Sequence, residues 1–243
     1  FSPIKRRDFA FGFRWFTVRE RLALGLMFDS NQDVGAATSR KALTINLDRS
    51  AYGAFAEIGA GQETVRHFFR SGGSSGTIAK AMSAYDKDFS DAIYGIEGDG
   101  RYVTESRLKK MLTHEVDLIE SRLSREKHPN KMFFSYANTV ATIDFAKQFK
   151  GHGWVGIKYQ IDPEEGYNEI ILHIRFKETD AKLQQETLGI LGVNLIYGAY
   201  YKYNDPKKML RYLYDHLDKD QLEIDTINFS GPRFAEVDNR LMS

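Results

Sequence analysis

Three things are missing from this sequence, and each excludes a class of function. The chain has no cysteine among its 243 residues, so disulfides, thiol catalysis and zinc–cysteine sites are excluded. No apolar run is long enough to span a bilayer as a helix. The 34 basic residues are balanced by 33 acidic ones. With a net charge of +1, no strong overall field steers the protein towards nucleic acid.

What the sequence does contain fits one large domain with a substantial core. Hydrophobic residues make up 42% of the chain, and aromatic residues are plentiful, with 17 Phe and 13 Tyr. We find no internal repeats and no low-complexity segments. Predicted strands alternate with helices but include a hairpin, which favours an α+β or mixed α/β fold.

The N-terminal segment differs from the rest in composition. Residues 1–21 are basic and aromatic, a short helix is predicted over Thr17–Phe28, and Asp29 to Arg40 is typical of a linker. We therefore divide the chain into an N-terminal arm and linker, residues 1–39, and a single α/β core domain, residues 40–243. The arm resembles sequence found just behind a mitochondrial presequence. It is expected to dock on another protein subunit, although folding back onto its own domain is the alternative.

Hydrophobic periodicity predicts the main elements of the core. Two long helices are expected over Thr104–Arg122 and Asp180–Tyr203, and a hairpin over Gly151–Lys177. The helices should pack on a sheet that contains this hairpin. A shorter helix is predicted from Pro206 to Leu217. Further strands are predicted at Leu43–Asp48, Met132–Val140 and Leu222–Phe229.

The stretch from Phe55 to Gly95 carries most of the candidate site residues. A short strand runs into glycines, a helix follows over Gln62–Arg70, and a glycine-rich loop follows the helix. Bare backbone N–H groups in such a loop can form an anion-binding nest, and a nearby lysine can supply a charge for phosphate. The spacing matches neither a P-loop nor GxGxxG. A flexible loop with a helix cap is the alternative. The tentative ligand-binding residues are Gly72, Gly73, Ser74, Ser75, Lys80, Asp86 and His152.

A group of acidic residues follows this loop. Asp86, Asp88 and Asp91 place three carboxylates within six positions, as in sites that hold a divalent cation. The alternative is that Asp88 or Ser90 is a helix N-cap. His152 lies at the mouth of the predicted hairpin, either as a base or phosphate donor or as a turn residue bonded to the backbone.

Several of these segments also carry a resemblance to a known family. The segments are Phe55–Glu63, Gly72–Gly95, Arg101–Leu112, Gly151–Gly156, Leu183–Tyr197 and Ser230–Met242. They resemble an uncharacterised bacterial protein family whose members are longer and are variously named TonB-dependent receptor or nicotinate-nucleotide adenylyltransferase. The resemblance covers roughly residues 40–243, so the chain resembles a shortened member with an added arm. It implies no established activity.

Three functional hypotheses follow from the sequence. The first is a non-catalytic accessory or scaffold subunit of a larger assembly, on the matrix side of a mitochondrion if the chain is a processed eukaryotic protein, and otherwise cytoplasmic. The second is an enzyme or binder of a phosphorylated small molecule, using the glycine-rich loop and Lys80. The third is a metal-dependent hydrolase built on the three aspartates and His152. Partners are expected to be protein subunits, not nucleic acid, and the sequence identifies no cofactor.

Overall fold

The computed structural model describes residues 34–146, 150–202 and 206–234, and within them one six-stranded sheet lies between two layers of helices. The helices are α1 (Val34–Leu47), α2 (Glu63–Ser71), α3 (Lys87–Tyr94), α4 (Glu105–Arg122), α5 (Ala181–Tyr201) and α6 (Pro206–Leu213). The strands are β1 (Ala51–Ile58), β2 (Ile78–Met82), β3 (Met132–Ala141), β4 (His152–Tyr159), β5 (Asn168–Phe176) and β6 (Leu222–Ser230). Short 3₁₀ turns lie at Ser74–Gly76 and Pro232–Phe234.

The sheet combines a parallel half with an antiparallel half. Its strand order is β2-β1-β3-β4-β5-β6. Strand β1 lies parallel to both β2 and β3, whereas β3 to β6 form antiparallel pairs. This arrangement confirms the mixed α/β prediction, and the β4–β5 pair is the predicted hairpin.

The helices cover both faces of the sheet. Helices α1, α2, α5 and α6 bury the larger core on one face, where Phe55, Tyr136 and Leu191 are fully buried. Helix α4 packs on β1, β3 and β4 on the other face through Leu108, Met111 and Leu112. The predicted packing of the two long helices on the hairpin's sheet is therefore confirmed, with α4 and α5 on opposite faces.

Helix α5 is buried on nearly all sides, which its apolar sequence and its glycines permit. Gly192 faces α2 and β3, and a Cβ at this position would lie 2.3 Å from the Thr64 hydroxyl oxygen and 2.5 Å from the Tyr136 hydroxyl oxygen. Thr64 donates a hydrogen bond to Tyr136 across this contact, at 3.0 Å. The glycine therefore allows a buried polar pair to lie directly against the helix backbone.

The strand predicted at Leu43–Asp48 is wrong, because these residues belong mostly to α1. Its buried residues Thr38, Ala42 and Ile45 recur at helical spacing, and the six-residue alternation sampled too few positions to exclude a helix. The expected boundary at residues 39 and 40 falls inside α1, which packs on α2 and α5. Residues 1–33 of the predicted arm lie outside the described residues.

The remaining predictions differ from the structure mainly at element ends. The helix predicted at Gln62–Arg70 is α2, and the strands at Met132–Val140 and Leu222–Phe229 are β3 and β6. Helix α6 ends at Leu213, earlier than predicted. Among the described residues, no helix combines the length and the apolar character needed to cross a membrane.

We predict that Gly192→Ala destabilises the fold by roughly 1–2 kcal/mol. Alanine gains about 1 kcal/mol in helix propensity, but the new methyl group overpacks the Thr64–Tyr136 contact. Overpacking typically costs ~1–3 kcal/mol, and the close approach of the added Cβ to both hydroxyl oxygens places this substitution in the upper part of that range, at about 2–3 kcal/mol. Urea unfolding measures the difference. Gly76→Ala is the matched control, because no atom lies within 4 Å of its added Cβ. A Gly192→Ala protein as stable as the wild type would show that α5 does not need this close approach.

Candidate functional site: the crevice at the carboxyl ends of β1 and β3

The structure does not bring the tentative ligand-binding residues together. Gly72 and Gly73 follow α2, and the 3₁₀ turn containing Ser74 and Ser75 comes just before the amino end of β2. Asp86 follows the carboxyl end of the same strand. Five strand residues at about 3.3 Å each separate the two ends by roughly 16 Å. The glycine-rich loop and Asp86 therefore lie at opposite ends of the sheet, too far apart to share one small-ligand site.

Lys80 and His152 are separated from the loop by other contacts. Lys80 lies within β2 and forms an ion pair with Glu115 of α4, with 2.7 Å between nitrogen and oxygen. His152 begins β4, and β1 and β3 lie between it and β2. The loop packs against α1, where the Asn46 amide donates to the carbonyls of Phe68 and Gly72 at 2.9 and 2.7 Å. A phosphate site formed by the loop and Lys80 is therefore not supported by this arrangement.

The acidic group is also dispersed. Asp86 is the N-cap of α3 and accepts a hydrogen bond from the Phe89 amide at 2.8 Å, so the cap is neither Asp88 nor Ser90. Asp91 is bound by Arg107 and Tyr102. Within the described ranges, no group of three or more His, Asp or Glu side chains is arranged to hold a metal ion. The metal-dependent hydrolase hypothesis therefore lacks its ligand set.

A different location is favoured by the order of the strands. From β1 the chain passes through α2 on one face to β2, and then through α3 and α4 on the other face to β3. Because β2 and β3 lie on opposite sides of β1, the carboxyl ends of β1 and β3 form a topological switch point. In open α/β sheets, ligands bind in the crevice outside such a point.

A pocket of about 160 Å³ occupies this crevice. Its polar lining consists of Tyr85, Lys87, Ser90, Tyr102, Arg107 and Thr139, and its other lining residues are Ile58, Gly59, Ala84, Val103 and Val140. Gly59 has φ +97°, and a Cβ there would lie 1.8 Å from the Val140 carbonyl oxygen. Glycine is therefore required where the loop after β1 lies on the end of β3.

Arg107 forms the buried back of the crevice. Its side chain is only 1% exposed and donates to the Ser90 hydroxyl and to Asp91, both at 2.9 Å, and also to the Gly95 carbonyl. The guanidinium lies over the Tyr102 ring at 4.9 Å. Its donors are committed to these protein acceptors, so Arg107 joins α3 to α4 and is not available to a ligand.

Tyr102 and Asp91 complete this buried arrangement. The Tyr102 hydroxyl donates to Asp91 at 2.7 Å. This hydrogen bond, together with the Arg107 guanidinium, holds the pKa of Asp91 below its usual range although burial opposes the shift. Thr139 in turn donates to the Tyr102 carbonyl at 2.7 Å, which attaches the loop before α4 to β3.

Lys87 provides the exposed charge of the crevice. Its ammonium lies 5.3 Å from the centre of the Tyr102 ring. In the described part of the chain, no carboxylate lies within ion-pairing distance of Lys87. Tyr85, 62% exposed, accepts a hydrogen bond from the Gly61 amide at 2.8 Å and keeps its own hydroxyl proton for another acceptor.

Glu57 lies at the carboxyl end of β1 and is fully buried. Its carboxylate accepts hydrogen bonds from the backbone amides of Thr64 and Val65 at the start of α2, at 3.2 and 2.9 Å, and from the Asn138 amide at 3.1 Å. Burial outweighs these hydrogen bonds and raises the pKa of Glu57 to about 7. The first helix N-terminus after β1, where dinucleotide folds hold pyrophosphate, is therefore occupied by the protein's own side chain.

Sequence reasoning missed Glu57, Tyr102 and Arg107. One signal was available: Arg107 lies four positions before Met111 on the apolar stripe of α4, where a charged residue needs a buried partner. Glu57 gave a similar signal, as a carboxylate that follows the apolar run Ala54–Ala56 in a predicted strand.

Of the three comparisons with known proteins, one found a likeness, and that likeness is to solved structures. No family model and no curated protein matches the sequence. Solved structures of bacterial competence-damage proteins resemble the fold. A CinA-superfamily protein from Klebsiella pneumoniae has a TM-score of 0.49 and 9% identity, covering 70% of this chain and 99% of its own. One from Enterobacter cloacae gives 0.47 and 11%, covering 70% and 95%. The competence/damage inducible protein CihA from Agrobacterium tumefaciens gives 0.41 and 13%, covering 76% and 98%.

These matches correct two expectations. The matched structures are bacterial competence-damage proteins, so the prediction of a non-catalytic accessory or scaffold subunit in a mitochondrion is contradicted. No match supports the names TonB-dependent receptor or nicotinate-nucleotide adenylyltransferase. At these identities the likeness concerns the fold.

We predict that Glu57 makes stability fall as pH rises. Its pKa is about 7 when folded and 4.5 ordinarily, so between these values the folded state binds more protons than the unfolded state. At 1.36 kcal/mol per pKa unit, the wild type should lose up to roughly 3 kcal/mol relative to Glu57→Gln over this interval.

Urea unfolding at several pH values tests this slope. Glu126→Gln, which removes an exposed carboxylate, is the matched control and should keep the wild-type slope. Identical pH slopes for Glu57→Gln and the wild type would contradict a raised pKa at Glu57.

Proposed function

We propose that this domain binds a small organic acid in the crevice at the carboxyl ends of β1 and β3. The observation that carries the proposal is an open pocket at the topological switch point with the exposed ammonium of Lys87 on its polar wall. The position of the pocket follows the general rule for ligand sites in open α/β sheets.

The size of the pocket limits the ligand. At about 160 Å³ it is smaller than the roughly 300–1,000 Å³ typical of pockets for drug-sized ligands. A small metabolite, or one end of a larger molecule, fits this volume, and a dinucleotide does not.

The available polar groups favour a carboxylate over a phosphate. Phosphate sites usually combine several backbone N–H groups at a helix N-terminus with cations. Here Glu57 occupies the N-terminus of α2, and the Asp86 side chain caps α3. Among the described lining residues, Lys87 offers an ammonium and Tyr85 an exposed hydroxyl, and these two groups match the charge and the acceptors of a single carboxylate.

The buried groups behind the pocket hold its wall in place and do not contact the ligand. Arg107 holds Asp91 and Ser90, so the wall formed by Tyr102 and α3 is fixed before a ligand arrives. A preformed site reduces the entropy that binding must offset.

We predict that acetate and succinate bind at this crevice and that acetamide, the uncharged analogue of acetate, binds more weakly. Amide chemical shifts of Gly59, Tyr102 and Val140 should report the binding in heteronuclear NMR titrations. Lys87→Gln should weaken acetate binding roughly tenfold, because a charge-assisted contact of about 1.4 kcal/mol is lost. Inorganic phosphate should bind no more tightly than acetate.

Lys127→Gln is the matched control, because this exposed lysine lies before the amino end of β3, at the other end of the sheet. It should bind acetate like the wild type. Equal weakening in both lysine variants, or shifts confined to residues outside the crevice, would contradict the proposal.

A further inference from the structure

A second group of polar side chains lies on the part of the sheet that α4 leaves uncovered. It comprises His152 and Trp154 on β4, His173 and Arg175 on β5, and Asp225 on β6. The strand ladders place His152 opposite Arg175, and Trp154 opposite His173. We call these five residues the histidine cluster. It shares no residue with the lining of the crevice.

A bulge in β6 places Asp225 in this cluster. Thr226 pairs with His173 and Ile224 pairs with the next residue, Ile174, so Asp225 is an extra residue in the ladder. Ile224 and Ile227 both contact the larger core on the opposite face of the sheet. In a regular strand, two residues three positions apart point to opposite faces, so the shared face of these two shows that the strand contains an extra residue. The bulge therefore turns Asp225 towards the β5 side chains, as bulges beside functional sites often do.

Hydrogen bonds connect three of these side chains in series. The Asp225 carboxylate lies 2.6 Å from Nδ1 of His173, and Nε2 of His173 lies 3.3 Å from Nδ1 of His152. The other Asp225 oxygen accepts from Nε of Arg175 at 2.6 Å. The Trp154 ring lies 4.8 Å from the His173 ring and covers it.

The carboxylate determines which nitrogens carry protons. Burial alone would raise the pKa of Asp225, but the hydrogen bonds from Arg175 and His173 together hold it below its usual range. In the neutral form of His173, an ionised Asp225 places the ring proton on Nδ1, and Nε2 of His173 is then an acceptor. This nitrogen accepts a hydrogen bond from Nδ1–H of His152. The lone pair of the neutral His152 ring is then on Nε2.

The surroundings keep His152 neutral. Burial lowers the pKa of His152, as would a proton on the neighbouring His173 and as does the charge of Arg175, and Asp225 opposes the shift only in part. A neutral imidazole with its lone pair on Nε2 and a carboxylate behind it is the arrangement of a general base.

Arg175 places a positive charge beside His152. Its Nε is used by Asp225, whereas the side chain is 64% exposed and faces His152 across the ladder. Its remaining N–H groups can neutralise an oxyanion that forms beside His152.

We propose that the histidine cluster is a hydrolytic site for small carboxylic esters, with His152 as general base. Nε2 of His152 takes one proton from water while the water oxygen bonds to the ester carbonyl carbon. The carbonyl electron pair moves to its oxygen, beside Arg175. The intermediate then collapses, the bond to the alkoxy oxygen breaks, and His152 returns its proton to that oxygen. The products are one acid and one alcohol.

Hydrolysis of p-nitrophenyl acetate by the full chain tests this proposal. The rate should exceed that of equimolar imidazole by roughly 100-fold, the lower end of what a positioned general base contributes. His152→Gln should reduce the rate to the imidazole level. His128→Gln, which alters a histidine in the loop before β3, should leave the rate unchanged.

Imidazole nitrogen spectra provide the second readout. Long-range ¹H–¹⁵N correlations should show the Nδ1–H tautomer for both His152 and His173. Asp225→Asn removes the charge that selects this tautomer, so it should shift both rings towards Nε2–H and lower the rate at least tenfold. Circular dichroism checks that the variants are folded.

A wild-type rate no greater than that of imidazole would overturn the proposal. So would a His152→Gln protein as fast as the wild type, or an Nε2–H tautomer at His152 in the wild type. These results are independent of acetate binding at the crevice, because the two sites have separate residues.

Discussion

The hydrogen bonds of one buried carboxylate connect the parts of this fold that meet beside the crevice. Glu57 ends β1, caps the first turn of α2 and accepts the amide of Asn138 on β3. The side-chain oxygen of Asn138 also accepts a hydrogen bond from the Ile58 amide at 3.2 Å. Side-chain hydrogen bonds therefore join β1 and β3 in addition to their backbone ladder. Leaving a buried acceptor unpaired costs about 1–3 kcal/mol. The three elements are therefore held in one relative position.

The same carboxylate limits which ligands the fold can take. A glycine turn between a strand and a helix normally offers helix N–H groups to an external anion. Here Gly59 and Gly61 form the turn, but Glu57 already accepts from the helix. The proposed ligand site lies instead on the side of the sheet where α3 and α4 begin, and the buried guanidinium of Arg107 organises that side.

Sequence patterns predicted the long elements well, because their periodicity extends over many residues. Helix α4 and the β4–β5 hairpin show clear spacings of 3.6 and 2. The strand predicted at Leu43–Asp48 rested on six positions and was wrong. The candidate site was even harder to predict from the sequence, because its position depends on the order of the strands in the sheet. Only the sheet shows that Lys80 faces Glu115, and that residues far apart in sequence, Ile58 and Thr139, end side by side. A bulge such as that at Asp225 reverses the expected face of a side chain and has no sequence signature of its own.

That bulge also bears on the solubility of the protein. Strand β6 is the last strand of the described sheet, and an outermost strand exposes a row of backbone groups on which a strand of another molecule can add. The bulge twists this outermost strand, which disfavours such addition. The extra residue that turns Asp225 towards His173 therefore also protects this border of the sheet against aggregation between copies.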